Sequence, residues 1–412
     1  MAFGEQIRDL RVARGMSQAD LAAELNRLSG WDTITRQYVS RWESDKRRPR
    51  TELRRHLAQA LGVSVSDLTD MNRRTLLAAA LPLFDAAHVA PIREALHAIE
   101  AVTGIYEQTM PSPASISQIE RDTAAICACF QQSRYAELVS RLPKLLADAQ
   151  LAARTTEASD RDRARAAMST AYQVAASTLW KFGESDLAWL AAERGFRIAE
   201  ALDDPLLLSN GARRLARGLM ATGHHREAMR LIRADMDRLD GGLGRGNAAY
   251  LSIYGMLPLT GSVIAAKLGD LQEARAFLTD GERVAQRLGH DRNEHWTAFG
   301  PTNAVIHTVS VLVDFGEHGE AVAVSRKLDP VALAKLPTER QTSLYIDLAK
   351  AEYGRGRHQT ALPLLLRAEQ AAPQEIKARP ACCELIGEMR RHWPGKPPET
   401  LVGLADRAGL PT

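Results

Sequence analysis

Aromatic residues make up only 5% of the 412-residue chain, and cysteine occurs four times, as "CAC" (Cys127, Cys129) and "CC" (Cys382, Cys383). Those spacings match neither a disulfide framework nor the usual zinc sites, so the thiols read as reduced and partly buried. Long apolar runs are also missing. The stretch "LLAAALPLF", Leu76 to Phe84, falls far short of the roughly 20 residues a membrane span needs. The amino terminus "MAFGEQIRDLRVARG" lacks the uninterrupted apolar core of a signal peptide. A cytoplasmic protein with no membrane partner is therefore expected. Strand signals are almost absent. What remains is Ala, Leu and Arg with apolar spacings of three and four residues, which predicts an all-α chain. At 45% hydrophobic and 25% charged, it is long enough for two or three domains with substantial cores.

Signals for chemistry are scarce too. "GGLGRGN", Gly241 to Asn247, follows a predicted helix instead of a strand and has no Gly-Lys-Ser, so it reads as a loop and not a phosphate cradle. "HDRNEH", His290 to His295, has metal-capable groups without the HExxH arrangement. No nucleophile stands beside a recognisable base. Neither an enzyme nor a cofactor is expected.

Net charge is only +3, but Met1 to Arg74 holds 14 Lys or Arg against 10 Asp or Glu, leaving about one negative charge for the remainder. The excess is densest from Lys46 to Arg55, across the end of "TRQYVSRWESDKRRPR", Thr35 to Arg50. "FGEQIRDLRVARG" predicts a helix stopped at Gly15, and "SQADLAAELNRL" a second one capped by Ser17, with Asp20 at its positive end. Thr35 caps a third, "RQYVSRWES", with Val39 and Trp42 inward and Pro49 as its stop. "TELRRHLAQALGVSVSDL" adds a fourth helix, a stop at Gly62 and a last helical turn.

In order and residue type, "IRDLRVARGMSQADLA…TRQYVSRWESDKRRP…LAQALGVSVSDL" resembles the XRE-type, phage-repressor-like helix-turn-helix domain. The resemblance implies a five-helix lambda-repressor-like unit that binds double-stranded DNA with helix three in the major groove. It makes Arg36, Gln37, Tyr38, Ser40 and Arg41 the base contacts, and Gln18, Thr35, Lys46, Arg47, Arg48 and Arg50 the backbone contacts. Gln18 would also brace Arg36, and Arg11 and Glu43 would form a structural ion pair. The chemistry agrees: Arg can hold guanine O6 and N7, Gln can hold adenine, and the basic turn suits phosphates. From Gln18 to Glu43 is about seven residues longer than the family pattern. The excess lies around "RLSGWDTI" and would lengthen helix two or present Trp31 and Asp32 to a partner.

Farther along, "MPSPASIS" marks a hinge, and a repeat follows. Gly183, Gly223, Gly269, Gly316 and Gly356 each have Ala five residues later, in contexts that place the Gly between two amphipathic helices. A further pair, "IERDTAAICACFQQSRYAELVSRLPKLLADA", precedes them without the Gly. The pattern resembles tetratricopeptide (TPR) repeats, although the glycines stand 40, 46, 47 and 40 residues apart. That resemblance implies an α-solenoid with a concave groove displaying Gln173, Lys181, Asn210, Arg213, Arg217, Asn303, Ser310, Asp314 and Lys350. It further implies a signalling peptide or small-molecule ligand there. In "HWTAFGPTNAVIHTV", Trp296 and Phe299 either pack against the next repeat or form a groove wall.

The expected organisation is a DNA-binding domain over 1–70, a helical linker and hinge over 71–117, and a degenerate TPR-like repeat domain over 118–412. The expected function is a sequence-specific, homodimeric transcriptional regulator that senses a ligand. The other reading is a protein-protein adaptor whose first domain docks partners with little specific DNA binding.

Overall fold

A computed structural model describes residues 3–30, 32–44, 49, 51–63, 86–97, 114–242 and 246–410. All regular structure among them is helical. The amino-terminal unit comprises α1 (Phe3–Ala13), α2 (Gln18–Ser29), α3 (Arg36–Glu43) and α4 (Thr51–Leu61). Its core is its own: Ile7, Leu21, Leu25, Val39, Trp42, Leu57 and Leu61 pack together. The Ser17 hydroxyl accepts from the Asp20 amide while the Asp20 carboxylate accepts from the Ser17 amide, closing a capping box at the start of α2. Gly4 lets α1 lie against the end of α3, since a Cβ there would stand 2.2 Å from the Trp42 carbonyl oxygen.

The long connection is resolved by lengthening α2 to Ser29 with Gly30 as a left-handed cap. Asn26 then holds the returning chain: its Nδ2 donates to the Ile34 carbonyl at 2.8 Å, and its Oδ1 accepts from the Ile34 amide at 3.0 Å. Ile34 is thereby seated in the core. Two expectations need correction. Thr35 occupies the N-cap of α3 but makes no side-chain capping bond, and α3 ends at Glu43 with Ser44 bonded back to Ser40, well before Pro49. The last helical turn after Gly62 and Trp31 lie outside the described residues.

The body opens with α5 (Ala86–His97), then α6 (Ile116–Gln131) and α7 (Tyr135–Thr155), α8 (Ala158–Phe182) and α9 (Ser185–Glu200), α10 (Pro205–Ala221) and α11 (His225–Asp240). Next come α12 (Ala248–Leu268) and α13 (Leu271–Leu288), then α14 (Pro301–Asp314) and α15 (His318–Ser325). After the short α16 (Pro330–Lys335) follow α17 (Thr338–Gly354) and α18 (His358–Ala371), and α19 (Pro373–Ala378), α20 (Pro380–Arg391) and α21 (Glu399–Arg407) close the order. Helix α5 falls in the segment read as linker and hinge, yet its Val89, Ile92 and Leu96 are fully buried in one core with α6 to α9. The apolar i, i+3, i+7 spacing that made it helical also gives it a face to bury.

The repeat has a direct physical basis. Each of the five glycines has a left-handed φ, from 74° at Gly356 to 85° at Gly223, which L side chains adopt only at a cost. The next amide bonds back to close the helix end, Glu184 to Leu179 at 3.0 Å and Arg357 to Glu352 at 2.8 Å. The alanines five residues on are buried to 1% exposure or less, so the second helix of each pair can approach the first. The pair α6–α7 has the same turn with Ser133 in the glycine's place, at φ 56° with Arg134 bonded back to Cys129.

First helices stack on first helices through α6, α8, α10, α12, α14 and α17, and α17 then touches α6 again. The inner layer thus returns on itself. Helix α12 has the length and composition of a membrane span, but 78% of that stretch is buried inside the body.

Candidate functional site

Two places concentrate polar side chains. On the first, α3 sets Arg36, Gln37, Ser40 and Arg41 on its exposed side and Tyr38 half-buried, while Val39 and Trp42 face the core. A chain of hydrogen bonds holds this edge. Arg11 meets Glu43 through Nε to Oε1 at 2.6 Å and Nη2 to Oε2 at 3.2 Å, with its Nη1 on the Met16 carbonyl at 2.6 Å. Gln18 Nε2 donates to Glu43 Oε2 at 2.7 Å, and Arg36 Nε reaches Gln18 Oε1 at 3.5 Å. The expected ion pair and brace are therefore links of one network running from the core to the first residue of α3. Lys46, Arg47, Arg48 and Arg50, expected on phosphates, lie outside the described residues.

The second place is a chamber inside the inner layer, with about 50 Å³ of enclosed room and about 690 Å³ once the open solvent at its mouth is counted. Phe130, Trp180, Met256 and Trp296 supply apolar wall, and Lys181, Arg213, Arg214, Arg217, Glu339 and Arg340 supply charge. One side is an ionic knot. Lys181 Nζ donates to Glu339 Oε1 at 2.5 Å and to Glu375 Oε1 at 2.7 Å. Arg340 pairs with Glu339, Arg379 with Glu375, and the hydroxyls of Tyr135 and Ser133 donate to Glu375. This knot joins α7 and the turn before it to α8, α17 and α19, so it ties the first helix pair to the last. Burial would raise the Glu339 carboxyl, but Arg340, Lys181 and Arg379 outweigh it and hold Glu339 well below the usual carboxylate range. Burial and Arg379 push the Lys181 ammonium down despite Glu339 and Glu375.

The opposite side has no direct ion pair, and only Glu339, at a distance, offsets Arg214 and Arg217. Arg213 donates from Nη2 to Asn210 Oδ1 at 2.7 Å. The Arg214 guanidinium stacks 4.0 Å from the centre of the Trp296 ring, and Arg217 lies 5.4 Å from that of Trp180. Among the described residues no carboxylate pairs with any of the three, and the Nε of each is buried without a hydrogen-bond partner. Burial, then the neighbouring guanidiniums, push Arg213 well below its usual range, Arg214 down to about 9 and Arg217 to about 10. A guanidinium keeps its proton at neutral pH, so the charge remains and is held at an electrostatic cost. The same surroundings, burial first, hold His307 well below the usual imidazole range.

The expected open groove is therefore corrected. Of its residues Lys181, Arg213 and Arg217 line the chamber, but Gln173, Asn210 and Asn303 are at most 2% exposed and are not part of its wall. Ser310 is half-buried, Asp314 faces Lys267 at 3.8 Å, and Lys350 faces Asp347 at 3.5 Å. The inner helices were identified, but their closure turns the display face into interior. Of the two alternatives for the aromatic stretch, packing against the neighbouring repeat describes Phe299, while Trp296 lines the chamber instead of a groove. Phe299 is fully buried against Gly255, where a Cβ would stand 2.0 Å from its ring, and Trp296 forms chamber wall. His295, Trp296 and Ala298 take φ values of 47°, 51° and 51°, a strained backbone that fixes where Trp296 points.

Sequence reasoning missed Arg214, Trp180, Glu339, Arg340, Glu375 and Arg379. A usable signal was present in "ARRLARG", Ala212 to Gly218, where three arginines interrupt small and apolar residues on an inner helix.

Residues 7–68 match the helix-turn-helix family model, and the amino-terminal unit is a helix-turn-helix domain of the XRE type. No curated protein matches the chain. Among solved structures, PlcR from Bacillus thuringiensis in complex with the peptide PapR7 and DNA is 13% identical, covering 88% of this chain and 98% of its own at a TM-score of 0.35. Aspartyl phosphate phosphatase F from Bacillus subtilis is also 13% identical, covering 90% and 94% at a TM-score of 0.43.

Proposed function

We propose that the protein is a sequence-specific, double-stranded-DNA-binding transcriptional regulator that works as a homodimer and senses a ligand in the chamber of its helical body. The observation carrying the DNA reading is the exposed edge of α3, tied through Arg36, Gln18 and Glu43 to the buried Arg11. A base-reading helix needs its side chains held in register, and this network supplies that from the core outward. In this reading Arg36, Gln37, Tyr38, Ser40 and Arg41 meet base edges. Gln18 and Thr35 meet the backbone, and the basic turn Lys46, Arg47, Arg48 and Arg50 neutralises phosphates. The DNA-binding domain ends near residue 70, and the body starts with α5. Dimerisation follows from size: one small unit contacts few bases, whereas two read twin half-sites.

Enrichment of duplexes from a random pool by the full chain tests this. The proposal expects a twofold-symmetric site whose recovery weakens with salt and shifts or vanishes when Arg36 and Gln37 are changed to Ala. Failure to enrich any sequence, or an unaltered site in the variants, contradicts it.

A further inference from the structure

We propose that the chamber binds a small organic anion with at least two negative charges, a phosphate monoester or a polycarboxylate, whose flat apolar part lies against Trp180 or Trp296. This rests on the ligand-sensing reading above and assigns the ligand its chemical class.

Charge comes first. Lys181, Arg213, Arg214, Arg217, Arg340 and Arg379 face two carboxylates, Glu339 and Glu375, an excess of four positive charges in and beside the chamber. The two carboxylates are fully engaged by Lys181, Arg340 and Arg379. The remaining three arginines sit within adjacent turns of α10, with Arg213 2% and Arg214 7% exposed. Isolated buried charges are costly, and a body that only stacked helices would be as stable or more so with apolar residues there.

Chemical fit comes next. Guanidinium forks match two oxygens of one phosphate or carboxylate, and the three Nε atoms lack partners. A neutral ligand would leave every charge in place, and a single carboxylate most of them. The cation-stacked rings of Trp180 and Trp296, with Phe130 and Met256, add an apolar surface suited to a flat group. The enclosed room takes a small charged group, with the rest of the ligand toward the mouth, and admits neither a duplex nor a folded chain.

The test measures calorimetric binding and thermal stabilisation of the full chain at fixed ionic strength, with phenyl phosphate, citrate, inorganic phosphate and neutral benzyl alcohol as probes. Saturable binding of phenyl phosphate or citrate is expected, the two arms separating phosphate from polycarboxylate. Inorganic phosphate, which has no ring, should bind more weakly, and benzyl alcohol should not bind. Arg214→Gln and, nearer the mouth, Arg217→Gln should each weaken binding by about tenfold or more. Without ligand, both variants should melt no lower than the parent, because each removes a buried charge that has no carboxylate partner. No saturable anion binding, affinity unchanged in both variants, or lower melting of both ligand-free variants overturns the assignment. Stabilisation by the neutral probe alone overturns it while leaving ligand sensing intact. Anion binding that leaves duplex affinity unchanged upholds this inference and removes the sensing reading instead.

Discussion

Replacing Glu43 with Gln removes the charge on which the reading edge is built. Glu43 accepts two hydrogen bonds from Arg11, at 2.6 and 3.2 Å, and one from Gln18 at 2.7 Å. Its side chain and that of Arg11 are only 5% and 11% exposed. Removing one partner of a buried pair costs about 3–5 kcal/mol. The amide oxygen can still accept one of the three bonds, so the expected cost is about 2–3 kcal/mol. At 1.36 kcal/mol per tenfold, that is roughly a 30- to 150-fold change in the local opening equilibrium. Amide hydrogen exchange on the full chain reads it directly, as a fall in protection confined to α1, α3 and the start of α2. The paired change Arg11→Met with Glu43→Leu should recover most of the loss, since it leaves no unpaired buried charge. A loss in Glu43→Gln below about 0.5 kcal/mol, the size of an exposed surface pair, would mean that Glu43 does not hold α3 in place. A double variant that opens as easily as the single would mean that the unpaired charge is not the cause.

Three further outcomes follow from the body. Gly223→Ala adds a Cβ with nothing within 4 Å, so its cost should be that of the left-handed φ of 85° alone, about 1 kcal/mol by denaturant unfolding. Gly255→Ala drives a Cβ into the Phe299 ring and should cost about 1–3 kcal/mol in the same assay. His307 is held neutral by burial and by Arg340, Arg217 and Arg213. With its folded pKa depressed, the unfolded chain takes up the proton first. Stability should therefore fall as pH drops below the imidazole's ordinary value of 6.5. His307→Gln should flatten the difference in denaturation midpoint between pH 7.5 and pH 5.5, and an unchanged difference would remove His307 from that slope.

Much of the architecture was legible because it is local. A left-handed turn needs glycine, the approach of two helices needs a small residue, and the two recur at one offset, so the repeat is visible in the letters. The same holds for Ser17 with Asp20 and for the Arg11 and Glu43 pair, carried by a motif. Closure was not legible. It depends on Lys181, Glu339 and Glu375, spread over 194 residues, and on how many small rotations between helix pairs add up. The groove residues accordingly ended up as interior. Asn26 escaped notice because its partner is the Ile34 backbone, which has no side-chain signature. Ser133 takes the glycine's place in the first pair, so that pair was legible as two helices but not as a member of the Gly and Ala pattern.

A base-by-base affinity panel decides whether α3 reads base edges. Each position of the enriched duplex would be replaced in turn and titrated against the parent protein and Gln37→Ala. Gln37→Ala should lose about 1–3 kcal/mol of discrimination at one base pair in each half-site and keep the rest. An equal loss of affinity at every position, with discrimination unchanged throughout, would contradict base reading by α3.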